Sequence, residues 1–306
     1  MNNVLVTGGS GQVGSEIRTL VVQGKAEASL PKINGAEVLT SVDTNYYFTD
    51  RSSLDITNPH AIKEFAERNS IDTIINCAAY TAVDKAEEDE ENADKVNHLA
   101  VKYLSEVAKE RAISLIHIST DYVFDGKAHM PYKEDDTTNP NGVYGRTKLD
   151  GEKVMQEINP LNSIIIRTAW VYSSFGSNFV KTMLRLGRER DELGVIFDQV
   201  GTPTYARDLA KSILEILPKI NNQNVAIYHY SNEGVCSWYD FAKEIMRMAK
   251  LSCNINPIET KEYPTPATRP HYSILNKSKI KEDFGIMIPY YKDSLDKCLK
   301  QLKERK

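Results

Sequence analysis

The feature that most constrains the fold is a cluster of glycines set between an apolar strand and a helix at the start of the chain. Val4-Leu5-Val6 reads as a buried strand, and Thr7-Gly8-Gly9-Ser10-Gly11-Gln12-Val13-Gly14 follows at once. A glycine-rich turn alone is a weak signal. Between a first strand and a first helix it reads as the start of a dinucleotide-binding βαβ unit, because backbone N–H groups at the helix opening face a phosphate. Gly8 permits the tight turn, Gly11 lets the backbone approach a pyrophosphate, and Gly14 allows helix to pack closely on sheet. Gln12 and Val13 belong to the same candidate cofactor turn.

Strands and helices then alternate. A strand at 72–76 follows a helix at 59–68, one at 114–118 follows a long helix at about 93–111, and one at 164–166 follows the helix carrying Tyr144. This rhythm predicts an α/β fold with a doubly wound parallel (Rossmann) sheet. Ligands in such sheets sit beyond the carboxyl ends of the strands, where Gly8, Ala78, Thr120 and Thr168 fall. After Thr168 the order loosens: helices near 178–190 and 205–217, a strand at 226–230, a helix at 238–250, then a proline-rich stretch. The reading is a smaller, interleaved substrate-binding lobe of 172–195 plus 233–306, with 1–171 plus 196–232 forming the dinucleotide-binding domain.

The strand His117-Ile118-Ser119-Thr120 delivers a hydroxyl to the ligand edge. Tyr144 and Lys148, four residues apart, share one helix face. Hydride arriving at a carbonyl carbon leaves negative charge on oxygen, which must be hydrogen-bonded and protonated. Tyr144 is expected to donate the proton, Lys148 to lower its pKa and hold the nicotinamide ribose, and Thr120 to hydrogen-bond the oxygen. The same spacing recurs at Tyr239 and Lys243, but no strand ending in a hydroxyl residue precedes that copy. It reads as one face of an amphipathic helix.

Residues 25–45 look like an insertion that pushes the second strand out to Tyr46-Tyr47-Phe48. Asp50 is then the candidate for the ribose hydroxyls, favouring NADH. Arg51 can accept a 2′-phosphate or stand as a solvated charge, so NADPH and NADH both stay open. Asp55 and Ile56 fall against the adenine, unless Asp55 caps the helix near Pro59. Ala78, Ala79 and Tyr80 follow the next strand, the two alanines letting backbone pass close to the cofactor.

The 306 residues can bury a large core, and the net charge of −4 carries no basic stripe, which argues against nucleic acid. The acidic run 87–91 reads as a solvated helix start. No window is apolar enough for a membrane span, and no leader is evident. Four scattered cysteines read as free thiols of a cytoplasmic protein, and no His/Cys constellation suggests zinc.

Together, 11–14, 76–87, 119–124, 144–153, 167–172, 178–184, 198–204 and 269–275 resemble the extended short-chain dehydrogenase/reductases, and within them the dTDP-4-dehydrorhamnose reductases. The resemblance implies NAD(P)H-dependent reduction of the 4-keto group of a dTDP-deoxysugar to dTDP-L-rhamnose. It puts Thr120, Tyr144 and Lys148 in the catalytic roles, Asp121 and Trp170 at the sugar, and Asn178 and Arg269 at the nucleotide phosphates. Arg269 could equally make a structural salt bridge. A homodimer is compatible with the resemblance. Some family members hold magnesium between subunits through acidic residues; Arg207 stands where one is expected, so no metal is predicted. A nucleotide-sugar dehydratase would need an acid where Tyr122 stands, while an epimerase stays open from the fold. Val123-Phe124-Asp125-Gly126 and 148–152 are also similar to the non-catalytic, NADP-binding beta subunit of methionine adenosyltransferase, but Thr120 and 167–172 favour the reductases.

Overall fold

A computed structural model describes residues 2–22, 32–33, 35–40 and 43–305. The strands, in chain order, are β1 (Asn2–Thr7), β2 (Lys32–Ile33), β3 (Ala36–Thr40), β4 (Thr44–Phe48), β5 (Thr73–Asn76), β6 (Ser114–Thr120), β7 (Ile164–Thr168), β8 (Val171–Tyr172), β9 (Glu192–Ile196), β10 (Val200–Gly201), β11 (Thr204–Tyr205), β12 (Ala226–His229), β13 (Cys236–Ser237) and β14 (Asn254–Ile258). The α-helices are α1 (Gln12–Val22), α2 (Pro59–Arg68), α3 (Val83–Ala86), α4 (Glu90–Asp94), α5 (Ala100–Arg111), α6 (Val143–Ile158), α7 (Phe179–Glu189), α8 (Ala206–Ile216), α9 (Trp238–Ala249), α10 (Ser278–Phe284) and α11 (Tyr291–Glu304). A π-helical stretch, Lys95–Leu99, joins α4 to α5.

Eight strands form one sheet in the order β12-β7-β6-β5-β1-β4-β3-β2. The six from β12 to β4 run parallel, while β3 and β2 pair antiparallel. The inserted segment therefore widens one edge, and β4 is the second strand of the parallel array. Residues 25–31, 34, 41 and 42 of that segment lie outside the described residues.

Alternation along β1 shows how the sheet is covered. Val4 and Val6 face one apolar layer with Ile17 of α1, Leu209 and Ile213 of α8, and Ile280 of α10. Leu5 faces the opposite layer with Phe65 of α2, Leu104 of α5 and Met155 of α6. A strand buried on both faces reads as a continuous apolar run, which is why Ile164-Ile165-Ile166 has no polar member. A third apolar cluster joins Val180 of α7, Phe241 and Ile245 of α9, Ile255 of β14 and Leu295 of α11 beside the main sheet. Helix α10, though late in the chain, packs on β12 in the first layer rather than in this third cluster.

The chain leaves β1 toward β4 on one side and returns to β5 on the other, so strand order reverses between β1 and β5. Such a switch point opens a crevice at the strands' carboxyl ends. Gly8, after β1, and Cys77 and Ala78, after β5, meet there.

Candidate active site

A cavity of about 880 Å³ lies over that switch point, lined among others by Gly8, Gly11, Asp50, Arg51, Ile56 and Ala78. Its size falls in the roughly 300–1,000 Å³ of small-molecule and cofactor sites. Gly8 has φ +64° and a Cβ there would stand 2.7 Å from the Ala78 nitrogen, so only glycine permits this approach of two loops. The α1 N-terminus, opening just after Gly11, supplies N–H groups for a phosphate. Leu54 and Ile56 give an apolar wall suited to a base, and Ala79 and Tyr80 continue the lining. The residues present fit a dinucleotide.

Around the second-strand loop the details differ from expectation. Asp50 Oδ1 accepts from the backbone N–H groups and hydroxyls of Ser52 and Ser53, closing a turn whose hydrogen bonds hold its carboxyl below the usual range. Asp55 accepts from the N–H and hydroxyl of Thr57, whereas α2 is capped by Asn58, whose side chain takes the His60 and Ala61 N–H groups. The alternative role of Asp55 as the α2 cap thus falls to Asn58, three residues on. Arg51 lines the cavity without an ion pair to another described residue, and its charge adds to the Thr57 hydrogen bonds that hold the Asp55 carboxyl low. Gln12 and Val13 do not line it: Val13 packs in the core, and Gln12 accepts from Asn178 Nδ2 at 3.0 Å.

Lys85, Asp89, Asn92, Lys95 and Tyr103 also line the cavity, although the sequence reading did not single them out. They come from the segment that includes the acidic run, and that run is built in rather than merely solvated. Glu87 accepts the Val143 N–H at 2.9 Å, capping α6, and Asp89 accepts the Tyr80 hydroxyl at 2.9 Å.

The trio meets at the end of β6. Thr120 is 5% exposed, and its hydroxyl donates to Asp121 Oδ1 at 3.0 Å while accepting the Tyr122 N–H at 3.2 Å. The Tyr144 phenol lies close enough to Thr120 for that hydroxyl to oppose the effect of burial on it, and its ring packs edge-on against Tyr122 at 5.4 Å. Helix α6 comes this close because residue 145 is glycine; a Cβ there would lie 2.3 Å from the Tyr122 carbonyl oxygen. Burial pushes the Tyr144 phenol up to about 12, opposed by Thr120. The expected lowering by Lys148 is not what the structure displays. Lys148 is 1% exposed, donates to the Ile118 carbonyl at 2.7 Å and lies 3.1 Å from His117 Nε2, and burial lowers it to about 8.

Asp121 is 2% exposed and burial raises its carboxyl to about 7. A group with a raised folded-state pKa binds an extra proton between its unfolded and folded values, so stability falls as pH rises from about 4 to about 7. Asp121→Asn removes that loss. We expect the variant to be more stable than the wild type by about 2–4 kcal/mol at pH 8, with the gap closing below pH 4. Urea unfolding at both pH values checks this, and a variant less stable at pH 8 contradicts it.

Three other candidates are held by structural contacts. Trp170, at φ +49°, stacks on Trp238 with centroids 3.5 Å apart, so one of its faces is already covered. Asn178 caps α7 through the Lys181 N–H, and its amide donates to Gln12 and the Ser173 carbonyl. Arg269 makes a two-pronged ion pair with Asp84 at 2.9 and 2.6 Å. Asn178 is thus engaged in capping and in holding Gln12, and Arg269 makes the salt bridge that was its alternative reading. Arg207, set aside as a poor metal ligand, pairs with the buried Glu16.

The family model described as the RmlD substrate binding domain matches residues 1–304. The chain is 41% identical over 295 residues to a dTDP-4-dehydrorhamnose reductase of Aggregatibacter actinomycetemcomitans, with 94% of each chain covered. Among solved structures it is similar to a Clostridium acetobutylicum dTDP-4-dehydrorhamnose reductase, at 40% identity and TM-score 0.88, covering 98% of this chain and 99% of that one. It is also similar to the Bacillus anthracis dTDP-4-dehydrorhamnose reductase in complex with NADP, at 33% identity and TM-score 0.86, covering 98% and 100%. With the match running from the first strand to the last helix, the chain belongs to the RmlD substrate binding domain family.

Proposed function

We propose that this chain reduces the 4-keto group of dTDP-4-dehydro-L-rhamnose to give dTDP-L-rhamnose, using NAD(P)H. The observation that carries the reading is Tyr144 set beside Thr120, whose hydroxyl donates to Asp121, at the sheet edge beside a cavity that fits a dinucleotide. A bound dinucleotide supplies hydride to the carbonyl carbon. The chain's own residues manage the oxygen. Tyr144, still protonated at neutral pH, gives up its proton as charge develops, and Thr120 turns its hydroxyl from Asp121 toward that oxygen. Burial of Lys148 and Thr120 excludes water that would weaken these contacts. Trp170, half-buried, is the apolar surface for a deoxysugar. Four free thiols, three of them buried, suit a reducing cytoplasm, and no helix among the described residues is long and apolar enough to cross a membrane.

The test is NADH and NADPH absorbance in parallel with the dTDP-4-keto-deoxysugar, followed by identification of the product. Consumption of cofactor with formation of the 4-hydroxy sugar is expected; turnover of the sugar without net consumption would point to an epimerase. The Arg51 guanidinium at the cavity wall, in no ion pair with another described residue, favours NADPH through charge-assisted bonds to a 2′-phosphate. Arg51→Ala should raise KM for NADPH about tenfold or more while leaving KM for NADH nearly unchanged. Equal effects on both cofactors would remove Arg51 from that role.

A further inference from the structure

A buried line of polar side chains runs beneath the catalytic edge and touches Lys148 from behind. The Thr7 hydroxyl donates to Asn76 Oδ1 at 2.6 Å, Asn76 Nδ2 lies 3.0 Å from His117 Nδ1, and His117 Nε2 lies 3.1 Å from Lys148 Nζ. None of the four side chains belongs to a residue more than 1% exposed, so each polar atom must be satisfied by its neighbours. Three strands supply them, β1, β5 and β6, with α6 on the far side.

Donors and acceptors can be assigned along this line. The Ala78 backbone N–H, which can only donate, faces Asn76 Oδ1 at 3.2 Å and fixes the amide's orientation. Asn76 Nδ2 therefore donates to His117, and Nδ1 must offer its lone pair. The ring proton is then on Nε2, which points at Lys148 Nζ. An ammonium carries only hydrogens and cannot accept it, whereas an amine can, while still donating to the Ile118 carbonyl. We infer that His117 is a positioning residue that holds Lys148 as an uncharged amine, so that Lys148 becomes an ammonium only when other acceptors draw it off the imidazole.

Other groups around Lys148 do not supply this effect. Glu152, one turn along α6, favours the charged form, but its carboxylate is bound to Arg167. Cys77, after β5, is kept a thiol by burial, which pushes it up to about 12. Tyr144, on the same helix as Lys148, is a phenol that burial keeps neutral. The inference gives the proposed reductase a lysine whose charge follows occupation of the neighbouring cavity, and in that respect it rests on the proposed function. Ribose hydroxyls are the acceptors such a site offers.

The test reads the imidazole directly. In full-length protein labelled with ¹⁵N-histidine and without added dinucleotide, the His117 ring, assigned through the backbone, should show the proton on Nε2 and a bare Nδ1 at pH 8–9, where Lys148, brought down to about 8, is an amine. A proton on Nδ1 overturns the inference, whatever the activity. The second arm is the pH profile of kcat/KM. His117→Gln offers Lys148 a carbonyl oxygen instead of an N–H, so its alkaline limb should move up by about one pH unit. An active variant with an unmoved limb overturns the inference, since a merely structural histidine changes rate and not the limb. If wild-type protein oxidises no NAD(P)H, the proposed reaction fails while the ring spectrum still decides on His117.

Discussion

Tyr144→Phe should lower kcat with the dTDP-4-keto-deoxysugar by about 10²- to 10⁴-fold, the range for loss of a positioned proton donor, while KM for the cofactor changes little. The ring is expected to stay in place, because its packing against Tyr122 at 5.4 Å involves no hydroxyl. Only the phenolic O–H, which faces Thr120, is lost. The charge developing on the carbonyl oxygen is then left with one donor and no nearby proton. Single-turnover measurement of NADPH oxidation isolates this step from product release. A turnover number within a few fold of wild type would remove Tyr144 from the acid role, and a matching fall in cofactor affinity would assign it to binding instead.

The control for this argument lies within the chain. Tyr239 and Lys243 have the same spacing, and in the structure Lys243 sits 6.0 Å over the Tyr239 ring on an outer face of α9. Spacing alone places two side chains on one face; it does not say what that face meets. Thr120 was the informative residue, because a hydroxyl ending an apolar strand in an α/β sheet must reach the ligand edge. The glycine turn was legible for a similar reason, since its conformation is local and its consequence is fixed by the strand before it. Partnerships across the fold were not legible. Asp84 and Arg269 are 185 residues apart and Glu87 and Val143 are 56 apart, and no period or motif links either pair. Asn178 was placed correctly at a helix start, but its side chain is consumed by capping and by Gln12, a contact only the assembled lobes create. The lysine's surroundings were misjudged too. Its i, i+4 relation to Tyr144 suggested a charge aimed at the phenol, whereas β6 offers its nitrogen a carbonyl and an imidazole.

Behind the trio, one ion pair ties β7 to α6 and anchors β6 through the shared carboxylate, and its removal should cost the fold more than any surface change. Arg167 on β7 and Glu152 on α6 are 3% and 1% exposed in their side chains, joined by bonds of 2.7, 3.0 and 3.1 Å. The Ser119 hydroxyl, one residue before Thr120, donates to the same carboxylate at 2.5 Å. Glu152→Ala leaves a guanidinium buried without its anion, and such a break costs about 3–5 kcal/mol. Urea unfolding should show that loss, together with a fall in kcat as Ser119 and then Thr120 lose their anchor. Loss of the anion should also lower the alkaline limb of activity, since Glu152 favours the charged form of Lys148. Replacing both partners, as Glu152→Met with Arg167→Met, removes two desolvated charges at once and should recover more than half of the lost stability without restoring kcat. If the single variant unfolds at the wild-type midpoint, the pair contributes nothing to holding the catalytic edge; if the double variant is no better than the single, the cost arises from lost packing rather than from an unpaired charge.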